Sequence, residues 1–263
     1  MADNELSIMT YNVLADYYAQ KSTAKTDWRI KKEFRRPKII KELQHYNADI
    51  ICLQEVEDDF HRDVLVSLKQ THDGEIRLRR SGTCGVSTYW NKEKYNLLKR
   101  VELNFNGVLG LLNDVWKGGH ENYCYYNMSD ILLFETIPTG DNEPVSFWVL
   151  NCHTGALHDV QTVQIYYAVK RLLECCEEHP SPVILVGDFN ATSDSDAYEF
   201  LASGEIGEDR EPVFAEIIEY EHPLSLVSAY AFKREPITFP NSKNCFDYIW
   251  YDSTKFHAQQ VLA

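Results

Sequence analysis

Pro182-Val183-Ile184-Leu185-Val186-Gly187-Asp188-Phe189-Asn190-Ala191-Thr192-Ser193-Asp194-Ser195 reads as a buried strand that ends abruptly in polar residues. Val183 to Val186 are apolar and mostly β-branched, the mark of a strand covered on both faces. Gly187 lets the chain turn. Asp188 and Asn190 follow two apart, and on a strand or its extension such residues point the same way. A carboxylate and an amide then stand side by side at the rim of a core strand. Gly, Asp, Asn and Ser are also the usual turn formers, so Gly-Asp-x-Asn alone does not separate a turn from a site.

Other strands end the same way. Leu6 to Leu14 is a strand pattern that stops at Asn12, a poor strand former that either ends the strand or holds something by hydrogen bonds. Ala48 to Val56 is a second buried strand ending in Gln54 and Glu55, and a Glu there is costly unless it is paired or holds a cation. Val145 to Asn151 runs into Cys152 and His153, with His153 open to a structural or a functional reading. Cys245 to Tyr251 is the last strand, with Asp247 inside its aromatic run. Between these, Trp28 to Asn47 and Asp159 to Glu178 have helical spacing. Pro37 either kinks the first or marks its start. Val64 to Leu68 opens another amphipathic segment, and Ser195 to Leu201 a short helix. Gly82 to Trp90 reads as a strand, with Tyr95 to Leu103 as its partner across the turn at Asn91-Lys92. Ser129 to Thr136 is a strand, and Pro138 to Asn142 a hairpin turn. Residues 104–122, with four Gly, the acidic loop 204–212 and the loop 237–242 read as irregular. With no repeat and no linker in sight, strands alternating with a few helices fit one layered α/β domain.

Composition narrows the function. The 263 residues carry 26 Lys+Arg against 40 Asp+Glu, a net charge of −14. A non-specific nucleic-acid coat would be basic, so the charge argues against broad phosphate-backbone binding, although a local cleft for a strand end remains open. The bases concentrate in Lys21 to Lys41, which holds nine Lys/Arg and two acids and reads as a solvated face or as a guide for RNA. The seven cysteines are scattered without C-x-x-C, which fits a reduced, intracellular compartment. The start Met1-Ala2-Asp3-Asn4-Glu5 has no signal-peptide pattern. No apolar run approaches membrane-spanning length. The expected location is cytoplasmic, with the nucleus as the alternative.

Asn12, Glu55, His153, Asp188, Asn190 and Asp247 together make an oxygen-rich site. Such ligands suit Mg²⁺ or Mn²⁺, whereas zinc would want more His or Cys. An acidic site of this kind with a His to meet developing negative charge suits attack of water on a phosphate ester.

At this point the chain resembles the endonuclease/exonuclease/phosphatase superfamily, and within it the CCR4/nocturnin-like deadenylase branch. The stretches that carry the resemblance are Thr10-Tyr11-Asn12-Val13-Leu14-Ala15-Asp16, Asp49-Ile50-Ile51-Cys52-Leu53-Gln54-Glu55-Val56, Gly187-Asp188-Phe189-Asn190 and Phe246-Asp247-Tyr248-Ile249-Trp250-Tyr251. It covers about Leu6 to Tyr251. It implies a four-layered α/β sandwich (DNase I-like), with two mostly antiparallel sheets flanked by helices. It also implies a Mg²⁺ site with Glu55 as main ligand and Asn12 beside it. Asp188 and Asn190 would orient water and hold the phosphate, and His153 would stabilise its charge. Asp247 would hold a second ion or position a catalytic histidine. Phe239 and Asn151 are the candidate substrate contacts, Phe239 by stacking on a base. The implied activity is 3′→5′ exoribonuclease action on poly(A), releasing 5′-AMP in mRNA decay. The alternatives are a nocturnin-type phosphatase acting on NADP(H) and a non-catalytic RNA-binding scaffold. The family's closing Ser-Asp-His segment has no counterpart here, and no Asp-His pair occurs in the sequence. The expectation is a further C-terminal segment beyond Ala263, with a lapsed enzyme as the alternative.

Overall fold

The computed structural model describes residues 5–21, 26–79, 81–105, 128–140, 142–210, 212, 215, 218–231, 235–239 and 242–262. Most of the expected irregular segment 104–122 and parts of the loops at 138–142, 204–212 and 237–242 lie outside them.

Two sheets face each other. The first has four strands in the order β1 (Ile8–Asn12), β2 (Ile50–Val56), β4 (Gly85–Asn91), β3 (His72–Leu78). The second has six, in the order β5 (Tyr95–Asn104), β6 (Met128–Thr136), β7 (Ser146–His153), β8 (Val183–Asp188), β10 (Asp247–Asp252), β9 (Leu226–Ser228). Both sheets are mixed. β1 with β2 and β7 with β8 are parallel, and the remaining pairs are antiparallel.

Strand periodicity builds three apolar layers from these two sheets. Successive side chains alternate between faces. On β2, Ile51 and Leu53 face outward and pack with Ile39 and Leu43 of α2 (Lys32–Tyr46) and Phe60 and Val64 of α3 (Asp58–Leu68). Ile50 and Cys52 face inward and meet Leu132, Phe134, Phe147, Val149, Ile184 and Val186 of the second sheet. The outer face of that sheet, with Trp148, Leu150, Val183 and Leu185, is covered by α4 (His158–Glu178) and α5 (Asp196–Ser203). Helices, sheet, sheet and helices make the four layers expected. Among the described residues no helix is long and apolar enough to cross a membrane.

Three local readings differ from expectation. Tyr95 to Leu103 is not the partner of the strand before it. The turn after Asn91 carries the chain from one sheet to the other, and β5 pairs with β6. The partner of β4 is β3, whose sequence His72-Asp73-Gly74-Glu75-Ile76-Arg77-Leu78 carries too many charges to look like a strand. Its main chain pairs with β4 while its charged side chains stay mostly half-buried or exposed. Helix α3 begins at Asp58, one turn and more before the apolar residues that announce it. Pro37 lies inside α2 and does not mark its start, which follows the short 3-10 turn Trp28–Ile30.

Candidate functional site

The inward-facing rows of β1, β7, β8 and β10 all run out at the same end of the sandwich. On β8, Ile184 and Val186 belong to the inter-sheet core, and two residues on the same face ends in Asp188. On β7, Phe147 and Val149 lead through Asn151 to His153, and on β1 Ile8 leads through Thr10 to Asn12. Strand register then lines up His153, Asp188 and Asp247 as lateral neighbours across three strands. Gly187 does not turn the chain as expected but stays within β8, paired with Cys152 and Tyr248. Glycine is needed there because the backbone takes φ +145° and a Cβ would sit 1.9 Å from the Cys152 carbonyl oxygen.

Glu55 arrives by another route. Regular alternation would send it outward with Ile51 and Leu53. The register of β2 against β4 instead shifts between Gln54 and Val56, and Glu55 takes φ +59°. Such a bulge re-aims one side chain. Of the positive-φ non-glycine residues, Leu14 (+53°), Glu55 and Asn190 (+49°) all lie at this rim. Each holds a conformation costing of order 1–3 kcal/mol, and strain of this kind gathers at functional sites.

Asn12 ties the two sheets together. Its amide nitrogen donates to Glu55 Oε1 at 3.2 Å and to Asp188 Oδ2 at 2.8 Å, and its oxygen accepts from the Leu14 N–H at 2.9 Å. One neutral NH₂ group thus serves two carboxylates. Glu55 Oε2 accepts from the Ala15 N–H at 2.9 Å. The loop that supplies those N–H groups is bolted down by Arg35, which donates to the carbonyls of Val13 (2.6 Å) and Leu14 (2.7 Å) and to Asp16 Oδ1 (2.7 Å). Arg36 holds the other side of Asp16 and reaches Glu57 and Asp59. Asp188 Oδ1 accepts from the Asn190 N–H at 2.9 Å, and the Asn190 amide donates to the Thr154 carbonyl at 2.9 Å. Thr238 Oγ accepts from the N–H groups of Phe246 (2.9 Å) and Asp247 (3.2 Å). That places the half-exposed Phe239 ring, 5.7 Å from the Phe246 ring, close to Asp247 in the chain fold.

The charges are out of balance. Burial, reinforced by Asp247, pushes the Asp188 carboxyl up to about 7 despite its two donors. Burial also raises Asp247, whose Oδ1 is enclosed with no partner among the described residues. His153 is no counter-ion. Burial, with the Arg79 guanidinium beside it, pulls its pKa down to about 3, so the ring is neutral. Its Nε2 lies 4.0 Å from both Glu55 Oε1 and Asp188 Oδ2.

Asn12, Glu55, His153, Asp188, Asn190 and Asp247 therefore come together, and Phe239 stands at the margin. Asn151 does not join them. It is fully enclosed one step below His153, where its amide donates to the Ser87 carbonyl (3.0 Å) and Thr88 Oγ1 (3.1 Å) and accepts from Gln54 Nε2 (2.9 Å). With its groups engaged by the opposite sheet it has no face for a substrate. Within the basic segment, Arg29 pairs with Asp27 and Arg35 and Arg36 hold Asp16, while Lys31, Lys38 and Lys41 stand exposed. Sequence reading missed Arg35, Arg79 and Thr238. Arg35 alone left a trace, since its partner Asp16 closes the Thr10–Asp16 signature.

The family model for the Endonuclease/Exonuclease/phosphatase family matches residues 9–262. The 2′,5′-phosphodiesterase 12 of Rattus norvegicus is 27% identical over 290 residues, covering 99% of this chain and 47% of its own. The CCR4-Not complex 3′-5′-exoribonuclease subunit Ccr4 of Schizosaccharomyces pombe is 26% identical over 308 residues, covering 98% and 44%. The chain thus spans about half the length of the curated relatives it matches. Among solved structures, ANGEL2, a 2′,3′-cyclic phosphatase in complex with adenosine-2′,3′-vanadate, superimposes with a TM-score of 0.71 at 21% identity, covering 94% of this chain and 84% of that one. The human Nocturnin catalytic domain with bound sulfate gives 0.64 at 16% identity, covering 94% and 82%. At these identities the structural likeness speaks for the fold.

Proposed function

The chain belongs to the endonuclease/exonuclease/phosphatase family, and from that premise we propose that it is a Mg²⁺-dependent phosphodiesterase acting at the 3′ end of RNA, a poly(A) exoribonuclease releasing 5′-AMP. One observation carries the reading: a single amide, Asn12, joins carboxylates from both sheets, Glu55 and Asp188, beside His153 at the rim of the sandwich.

The residues suit a hard divalent cation. A buried Asp188, an Asp247 oxygen without a partner among the described residues and a neutral His153 leave negative charge for a cation to offset. Glu55 and Asn12 would hold the ion, with Asp247 near. Among the described residues no three acids, histidines or cysteines close into a ready-made cage, which suits Mg²⁺, an ion that keeps several waters and binds through one or two carboxylates plus phosphate. When bound, the ion supplies charge to a phosphate oxygen. The chain's own groups do the rest. Asp188, with a pKa near neutrality, takes a proton from the attacking water at Oδ1 or Oδ2. Asn190 helps orient it. His153 presents an N–H to the negative charge that builds on the phosphate. The water oxygen forms the new bond to phosphorus as the P–O3′ bond breaks, the leaving 3′-oxygen takes a proton from solvent, and 5′-AMP departs. Phe239 stacks on the terminal base, and cytoplasmic mRNA decay is the setting that fits such an activity.

A second reading has its own support. With net charge −14 and Arg29, Arg35 and Arg36 engaged in ion pairs, a small phosphorylated nucleotide such as NADP(H) suits the surface better than a long polyanion. The deciding experiment is a substrate panel with Mg²⁺: A-tailed RNA followed for AMP release, and NADP⁺ followed for phosphate, with Glu55→Ala as control. RNA shortening lost in the control supports the exoribonuclease. Phosphate release from NADP⁺ with intact RNA supports the second reading. No turnover of either leaves a non-catalytic RNA-binding module and sinks both.

A further inference from the structure

Behind His153 lies a cation that the proposed reaction does not use. Arg79 follows the last residue of β3, and its main chain is fixed in the turn to β4: its N–H donates to the Cys84 carbonyl at 2.9 Å, and its carbonyl accepts from the Gly82 N–H at 2.8 Å. The side chain runs inward and is only 6% exposed. There the guanidinium fork divides. Nη1 donates to the Tyr18 hydroxyl at 2.6 Å, and Nη2 meets His153 Nδ1 at 3.1 Å. Tyr18 belongs to the one-turn helix α1 (Asp16–Ala19), directly after the loop whose N–H groups hold Asn12 and Glu55.

The chemistry of this contact has one solution. A guanidinium only donates and does not lose its proton in proteins. His153 Nδ1 must therefore accept, and the proton of the neutral ring sits on Nε2. That is the nitrogen 4.0 Å from Glu55 Oε1 and Asp188 Oδ2. The guanidinium excludes the other tautomer: a ring protonated at Nδ1 would set donor against donor there and turn a lone pair toward the phosphate. The two forked contacts also fix the ring's rotation, because Arg79 is itself held from the far side by Tyr18.

We propose that Arg79, braced by Tyr18, is a positioning residue that locks His153 in the tautomer and orientation presenting Nε2–H to the scissile phosphate. Its catalytic consequence rests on the hydrolytic reading above; its structural content does not. A guanidinium strut that merely fills space would leave the imidazole indifferent to which cation or none stood there.

The test has two readouts. Proton–nitrogen correlation spectra of the histidine rings, recorded without substrate and with His153→Gln to assign the signals, report which nitrogen carries the proton. The parent is expected to show Nε2 protonated and Nδ1 bare, and Arg79→Met a mixed or reversed pattern. In turnover, Arg79→Met is expected to lower kcat by at least about tenfold with KM within about twofold. Arg79→Lys, which keeps one donor for Nδ1, recovers part of both. If Arg79→Met does not fold, Tyr18→Phe is the second variant, with the same changes in smaller measure. An unaltered imidazole pattern and kcat in a folded Arg79→Met, or in Tyr18→Phe where that variant stands in, overturns the proposal. If no substrate is turned over but the spectra change as stated, the hydrolytic reading fails and the assignment of Arg79 stands.

Discussion

Asn151 lies one step below His153 in the inter-sheet layer, and Gln54, beside Asn12 in register, reaches to it there; this lower tier and the rim formed by Asn12, Glu55, Asp188 and His153 behave differently. In the lower tier the polar groups find partners: Gln54 donates to Asn151, and Asn151 donates to Ser87 and Thr88 across the gap between sheets. Both residues are fully buried. In the upper tier Asp188 is pushed toward neutrality, Asp247 keeps an enclosed oxygen without a partner among the described residues, and Glu55 sits on strained backbone. A satisfied buried network rigidifies a core. An unsatisfied and strained one invites a ligand. Position in the layer separates structure from function here, since residue type does not.

The difference between tiers can be attacked from either side. The largest expected effect is on the rim. Glu55→Gln keeps an acceptor for the Ala15 N–H but removes the charge, and should lower kcat at least about a hundredfold with little change in melting temperature. A variant equally active would collapse the distinction. In the lower tier the sign reverses. Asn151→Leu strands the Ser87 carbonyl, Thr88 and Gln54, and should cost about 2–4 kcal/mol in urea unfolding, while turnover per folded molecule stays near the parent's.

Asp188→Asn separates the tiers through pH. An acid whose pKa is raised by folding binds its proton more tightly folded than unfolded. Its penalty is complete above about pH 7 and fades as pH falls toward the ordinary carboxylate range near about 4. In chelator, the variant should therefore be more stable than the parent at about pH 8, by a few kcal/mol, and lose that advantage by about pH 4. A difference that ignores pH would place Asp188 with the satisfied tier. The smallest effect belongs to Phe239. Removing its half-exposed ring in Phe239→Ala should raise KM for an A-tailed RNA by an amount worth about 1–3 kcal/mol and leave unfolding unchanged. An unaltered KM would take the ring out of the substrate path.

Much of this was legible in the chain because strands count in twos. The parity that buries Val186 points Asp188 the same way, and the same reasoning finds Asn12, His153 and Asp247. Parity carries no depth, however. Asn151 shares the face of His153, and only the opposite sheet, which seals it, shows that it stops short of the rim. Glu55 was legible as a costly charge, but its aim depends on a bulge that no spacing announces. β3 stayed hidden because Asp73, Glu75 and Arg77 mask a strand whose pairing is made by the main chain. The crossing between sheets after Asn91 has the same turn chemistry as a hairpin. Arg79 and His153 stand 74 residues apart, and such partnerships arise only when the sheets close.

Manganese binding tests the central claim most directly. Mn²⁺, titrated into the protein and counted by its electron paramagnetic resonance signal, reports occupancy without any choice of substrate. The upper tier as a cation site predicts saturable binding by the parent and by Asn151→Leu, and a marked loss in Glu55→Gln. Equal binding by the parent and Glu55→Gln, or none by the parent, would contradict it.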